Sequence, residues 1–225
     1  MDAGGVDVVL PCLDEALALP GVLAALPEGY RAIVVDNGST DGSPEVAAAH
    51  GAKVVVEPRK GYGAAVHTGL EHATAEVVCF LDADGSLDPG ELPGLVAEVV
   101  AGRARLAVGK RVPVGRGAWP WHARAGNAVL AALLRGRGLP VSDIAPARAV
   151  RRADLLELGV ADRAFGYPLE LLIRAAQAGW VVREKPVAYR PRTLGTRSKV
   201  SGSVKGTARA IRDMLRVLRE TRGPR

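Results

Sequence analysis

Val77-Val78-Cys79-Phe80-Leu81-Asp82-Ala83-Asp84-Gly85 is a short apolar run that ends abruptly in two acids one residue apart. A continuous apolar run of this length reads as a strand buried on both faces, the kind found in parallel sheets. The pattern recurs at Val6 to Leu10, closed by Pro11, at Ala32 to Val35, closed by Asp36-Asn37-Gly38, at Lys53 to Val56 and at Leu106 to Lys110. Between these runs lie stretches of helical spacing: Glu15 to Leu26, Ser43 to His50, Tyr62 to Thr74 and Pro89 to Ala101. Strands alternating with helices predict an α/β fold with a mostly parallel central sheet flanked by helices, and ligands outside the carboxyl ends of the strands. After Arg111 the rhythm weakens. Ala123 to Leu134, Leu155 to Leu158 and Pro168 to Ala178 read as helices, Val181 to Val187 as a returning strand, and Ser203 to Glu220 as a last helix. The aperiodic, basic stretch from 188 to 202 reads as a functional loop or a linker.

Composition narrows the function classes. With 225 residues and 48% hydrophobic content the chain can bury a core, and aromatics at 4% leave little material for base-stacking platforms, which disfavours nucleic-acid binding. The net charge of +6 is uneven, because residues 183 to 225 hold 13 Lys/Arg against 3 Asp/Glu while the remainder is slightly acidic. Cys12 and Cys79 sit in apolar runs and read as buried hydrophobes of a reducing compartment. No run approaches the ~18 apolar residues of a membrane span, so the expectation is a cytoplasmic protein, at most peripheral on the cytoplasmic face of the membrane. The four histidines have no metal spacing, and Gly61-Tyr62-Gly63 lacks the rest of a P-loop or dinucleotide fingerprint.

Chemistry concentrates after the strands. Asp82 and Asp84, leaving a buried strand at its carboxyl edge, can share a hard divalent cation whose remaining sites diphosphate oxygens fill. Asp36 either accepts from a base-ring N–H or, with Ser39 to Asp41, merely builds a turn and caps the next helix. Glu170 either orients a substrate hydroxyl or favours its helix from the first turn.

The set VVLPCLDE, VVDNGSTDGS, PRKGYGAAVHTGL, VVCFLDADGS and the late RSKVSG, in this order over residues 6 to 202, resembles family 2 glycosyltransferases of the GT-A fold, in particular the dolichyl or polyprenyl-phosphate sugar synthases. The resemblance implies a single catalytic domain over 1–202 followed by a basic amphipathic helix over 203–225. It implies inverting transfer from a nucleoside-diphosphate sugar, with Mg²⁺ or Mn²⁺ on Asp82 and Asp84, and Ala83 between them. Pro11, Leu13, Glu15, Val35 and Asp36 would surround the base and ribose, with Lys60 and Gly61 nearby. Arg111 and Arg124 would hold the phosphate of a polyprenyl-phosphate acceptor, and the loop with Arg197 and Lys199 would close over both substrates. Asp143 and Arg148 match an acidic and an arginine position of the family, but Pro146-Ala147 replaces its Gly-Phe.

A lipid phosphate is already anionic and needs orientation, whereas a saccharide or natural-product hydroxyl needs a base, for which Glu170 or Asp143 is available. The lipid acceptor is the main expectation, the hydroxyl acceptor the alternative, and a non-catalytic sugar-nucleotide sensor a third. In the last helix Val204, Ala208, Ile211, Leu215 and Leu218 form an apolar stripe beside Lys205, Arg209, Arg212, Arg216 and Arg219. That stripe either docks on the domain or lies on an anionic bilayer.

Overall fold

The computed structural model describes residues 5–115, 117–144, 146–196 and 204–221. Seven strands form one sheet in the order β3-β2-β1-β4-β6-β5-β7. These are β1 (Val6–Cys12), β2 (Tyr30–Asp36), β3 (Lys53–Val56), β4 (Val77–Phe80), β5 (Leu106–Pro113), β6 (Arg148–Arg151) and β7 (Val182–Tyr189). All pairings are parallel except those of β6, which runs antiparallel between β4 and β5. The mostly parallel sheet is therefore as expected, with one reversed strand that the sequence did not reveal. Pro11 does not end β1; it pairs opposite Val35 within the strand.

Side chains alternate across the pleat. Val9, Ile33, Val35, Val78 and Phe80 face one core, packed by α3 (Tyr62–His72), α6 (Arg152–Leu158) and α7 (Tyr167–Gln177). Val8, Leu10, Val34 and Cys79 face the other, packed by α1 (Leu19–Ala24), α2 (Ser43–Ala49) and α4 (Leu92–Val100). Gly69 lets α3 lie close on the sheet, because a Cβ there would fall 2.3 Å from Val9 Cγ1. The expected helix from Glu15 is shorter, since 16–18 form a turn and the helix runs Leu19–Ala24, and the expected helix from Pro89 opens with a single 3-10 turn.

α5 (Trp121–Arg135) contributes Ala131 and Leu134 to the core, and α8 (Val204–Glu220) packs on α7. The buried face of α8 is Gly206, Ala210, Asp213 and Val217. Ile211 and Leu215, two members of the apolar stripe read from the sequence, are exposed. Among the described residues no helix is long and apolar enough to cross a membrane.

Candidate active site

The carboxyl ends of β1, β2 and β4 open into a cleft of about 550 Å³. Its lining includes Pro11, Leu13, Glu15, Lys60, Gly61, Asp82, Ala83, Asp84 and Arg111, all singled out from the sequence. The loop after β1 is fixed by the loop after β2. Ser39 Oγ accepts from Asp14 N at 2.9 Å, Ser43 Oγ accepts from Glu15 N at 2.9 Å, and Asp41 Oδ2 accepts from Ala16 N at 3.0 Å. The NGSTDGS stretch thus serves as a brace that presents Glu15. Asn37 ties in a third loop: its Nδ2 donates to the carbonyls of Glu57 and Arg59 while its Oδ1 accepts from Gly61 N. Gly61 sits at φ +151°, and a Cβ would lie 2.2 Å from the Arg163 carbonyl oxygen, so no other residue fits. Lys60 lies over Gly38 at the same rim.

Several expected residues do not line the cleft. Val35 is wholly in the core. The Asp36 carboxylate accepts from the backbone N–H groups of Gly38 and Ser39, each at 3.1 Å, which is the turn reading of that motif. Arg124 is exposed on α5 and outside the cleft lining. Asp143 is buried and grips Arg111 through Nε at 2.9 Å and Nη2 at 2.7 Å. Arg111 also stacks over Trp119 at 4.1 Å, a desolvated cation held by both an anion and a ring face. Glu170 accepts from Ala161 N, Asp162 N and Arg174 Nε, which makes it the brace of the 161–162 loop. With their oxygens engaged in this way, neither acid is placed as a base. Arg197 and Lys199 lie outside the described residues.

The structure adds Arg192 and part of α8 to the site and gives Arg148, matched above only to a family position, a place in it. The loop after β7 folds back onto the loop after β4: Arg190 N donates to Ser86 O at 2.8 Å and Thr193 N to Asp84 O at 3.1 Å. This puts the Arg192 guanidinium 2.5 Å from Asp84 Oδ2 and 3.2 Å from Glu15 Oε1. Arg148, 1% exposed, lines the cleft with Nε and Nη1 unpartnered among the described residues. α8 closes one side with Arg209, Ala210, Arg212, Asp213 and Met214. The last helix therefore packs on the catalytic body and takes part in the cleft.

Electrostatics single out the two acids as a candidate cation site. Burial, followed by the neighbouring Asp84, pushes the Asp82 carboxyl up to about 6, against the pull of Arg192, Arg111 and Arg148. Burial and the Asp82 charge push the Tyr62 phenol well above its usual range. A cation relieves two crowded carboxylates, and Arg192 supplies one on Asp84 here. Two hard oxygen ligands one residue apart, already holding a cationic group, fit Mg²⁺ or Mn²⁺.

The fold and this cleft define a sugar-nucleotide transferase of the GT-A type. The chain belongs to glycosyl transferase family 2, whose model matches residues 7–159. It is 58% identical over 219 residues to an uncharacterized glycosyltransferase of Mycobacterium tuberculosis, covering 97% of this chain and 100% of that one. It is 33% identical to the low-salt glycan biosynthesis hexosyltransferase Agl6 of Haloferax volcanii, over 82% of this chain and 48% of that protein. Among solved structures, glucosyl-3-phosphoglycerate synthase of M. tuberculosis in complex with Mn²⁺, UDP and phosphoglyceric acid matches with a TM-score of 0.75 and 26% identity, covering 99% and 80% of the two chains. The same enzyme was also solved with Mn²⁺, UDP and glucosyl-3-phosphoglycerate, at 25% identity over 97% of this chain and 80% of that one, with a TM-score of 0.75. These likenesses correct the expected polyprenyl-phosphate acceptor, because the acceptor named in them is a phosphoglycerate. The exposed position of Arg124 removes one of the two arginines on which the lipid phosphate was to rest.

Proposed function

We propose that the chain transfers a hexosyl group from a nucleoside-diphosphate sugar, of the UDP-glucose type, to the hydroxyl of a small polar acceptor. The observation that carries this reading is the Asp82/Asp84 pair at the end of β4, opening into a cleft that Glu15 and Lys60 share with Arg111, Arg148 and Arg192. Asp82 and Asp84 would hold Mg²⁺ or Mn²⁺, as the metal-bound UDP complexes of the similar synthase suggest. When bound, the ion supplies positive charge to the departing diphosphate. Arg192, which lies on Asp84 and Glu15, would offer the same phosphates a second, bidentate cation. The loops braced by Ser39, Asp41 and Ser43 fix Leu13 and Glu15 at the rim where the nucleoside enters, and preorganised charge of this kind accounts for much of such a rate enhancement. Arg111, locked by Asp143 and Trp119, presents a rigid cation toward the acceptor.

The test is mass spectrometry of purified protein with Mg²⁺ and Mn²⁺, a pool of UDP- and GDP-sugars, and a panel of hydroxyl acceptors that includes phosphoglycerate and simple sugars. A metal-dependent glycosylated product is expected from the wild type, reduced on the order of 10³-fold in Asp84→Asn, because loss of the metal site removes several kcal/mol of charge stabilisation. Turnover that ignores both chelation and Asp84→Asn would sink the proposal.

A further inference from the structure

Transfer to a hydroxyl requires something to take its proton, and the two carboxylates nominated from the sequence are committed elsewhere, Asp143 to Arg111 and Glu170 to the 161–162 loop. Four carboxylates line the cleft: Glu15, Asp82, Asp84 and Asp213. Asp82 and Asp84 form the cation site, and Glu15 receives Arg192. Asp213 belongs to neither arrangement. It is 1% exposed, its Oδ1 accepts from Arg212 Nε and Nη2 at 3.2 and 3.0 Å, and its Oδ2 is buried with no partner among the described residues. A buried carboxylate oxygen left without a donor is costly unless a ligand completes it.

The position of Asp213 is well fixed. Val217 packs on Gly166 so closely that a Cβ at 166 would lie 2.5 Å from its Cγ2. Arg216 Nη2 reaches Asp162 Oδ2 at 2.7 Å, and Gln177 Nε2 donates to the Thr221 carbonyl at 3.1 Å. These contacts anchor α8 on α7 and on the loop before it, so that Asp213 shares the cleft with Ala164, Phe165 and Pro168. The cleft also holds the complementary deficit, since Arg148 has two buried donors unpartnered. A ligand that offers a hydroxyl hydrogen to Asp213 and an oxygen, most favourably an anionic one, to Arg148 would satisfy both groups.

Resting on the hydroxyl-acceptor reading above, we infer that Asp213 is the catalytic base and that α8 is part of the acceptor site. The acceptor oxygen bonds to the anomeric carbon as the bond from that carbon to the diphosphate oxygen breaks. The electron pair leaves with the nucleoside diphosphate, and the acceptor proton passes to Asp213 Oδ2. Water admitted in place of the acceptor follows the same course and gives donor hydrolysis.

The deciding experiment uses the full chain with UDP-glucose and Mn²⁺, reading both transfer to 3-phosphoglycerate and hydrolysis with water as the sole acceptor. In Asp213→Asn both rates are expected to fall about 100-fold or more, the usual contribution of a positioned base. Calorimetric affinity for UDP with Mn²⁺ should stay within about twofold of wild type, which also shows that the variant is folded. In Asp213→Ala, added formate should restore turnover, a response that a merely structural carboxylate does not give. Unchanged turnover in folded Asp213→Asn, or absence of formate rescue in folded Asp213→Ala, overturns the assignment. A wild type that hydrolyses UDP-glucose but glycosylates no hydroxyl acceptor overturns the proposed acceptor class alone, and the hydrolysis ratio still decides Asp213. A wild type that does neither overturns both.

Discussion

The two halves of the sheet place charge at one cleft by opposite chemistries. The half from β1 to β4 supplies acids: Glu15, Asp82 and Asp84 stand just past the ends of parallel strands, each in a short loop braced by neighbouring loops. The half from β5 onward supplies mainly arginines, Arg111, Arg148, Arg192, Arg209 and Arg212, with Asp213 as the one acid among its described lining residues. A carboxylate at a strand end is held by nearby backbone N–H groups, as Ser86 N holds Asp84 Oδ1 at 2.8 Å. A buried guanidinium needs a partner recruited across the fold, so the second half carries Asp143 under Arg111, and Arg192 reaches back to Glu15 across 177 residues of sequence. Asp84 is thus held within its own loop, whereas Arg111 and Arg192 are held through ion pairs with residues distant in sequence.

That contrast predicts where the molecule breaks. Asp143→Ala leaves Arg111 buried without its anion, and removal of one partner of a buried pair costs about 3–5 kcal/mol. Urea denaturation should show that loss as a lower midpoint with an unchanged slope; a shift below about 1 kcal/mol would mean that Trp119 and solvent suffice to hold the charge. α8 offers a smaller version of the test within a single helix. Val217 is 1% exposed and Leu215 46% exposed. Val217→Ala should cost about 2 kcal/mol by the usual value per buried methylene, and Leu215→Ala less than about 0.5 kcal/mol. Equal losses in thermal melts would restore the stripe expected from the sequence.

The same contrast explains what could be read in advance. The β-α-β rhythm through β4 and the Asp82/Asp84 motif are local patterns, and a local pattern survives in a sequence. β6 was missed because Arg148-Ala149-Val150-Arg151 carries a charge at each end and has neither the length nor the alternation of a strand; its pairing comes from β4 and β5 on either side. Arg192 was hidden in an aperiodic loop because its role depends on Asp84 and Glu15, which only the fold brings near. α8 misled for a different reason. Its apolar stripe left docking on the domain and lying on a bilayer both open, and the helix turns a different set, Gly206, Ala210, Asp213 and Val217, inward, with Asp213 in the cleft. Asp36, Asp143 and Glu170 stand out in the sequence as acids beside strands and helix starts, while the uptake of their oxygens by backbone N–H groups and arginines depends on the fold.

Acidity offers the finest separation of the two halves, because carboxylates titrate in an accessible range and arginines do not. Asp82 has its carboxyl pushed up to about 6, chiefly by burial and then by Asp84. In the metal-free chain the folded state therefore holds a proton near pH 5 that the unfolded state has released, and this group's contribution to stability declines as pH rises through 6. Cation binding has the opposite sign, since it needs the ionised form. Calorimetric titration of Mn²⁺ with UDP should give a steady affinity above about pH 7 and a decline toward tenfold per pH unit below 6, with proton release on binding. Asp84→Asn, which removes the neighbouring charge that raises Asp82, should move the onset of that decline to lower pH while weakening binding throughout. An affinity that stays flat from pH 7 to pH 5 would show that the cation does not compete with a proton on Asp82, and would leave Asp84 alone as the ligand from this pair.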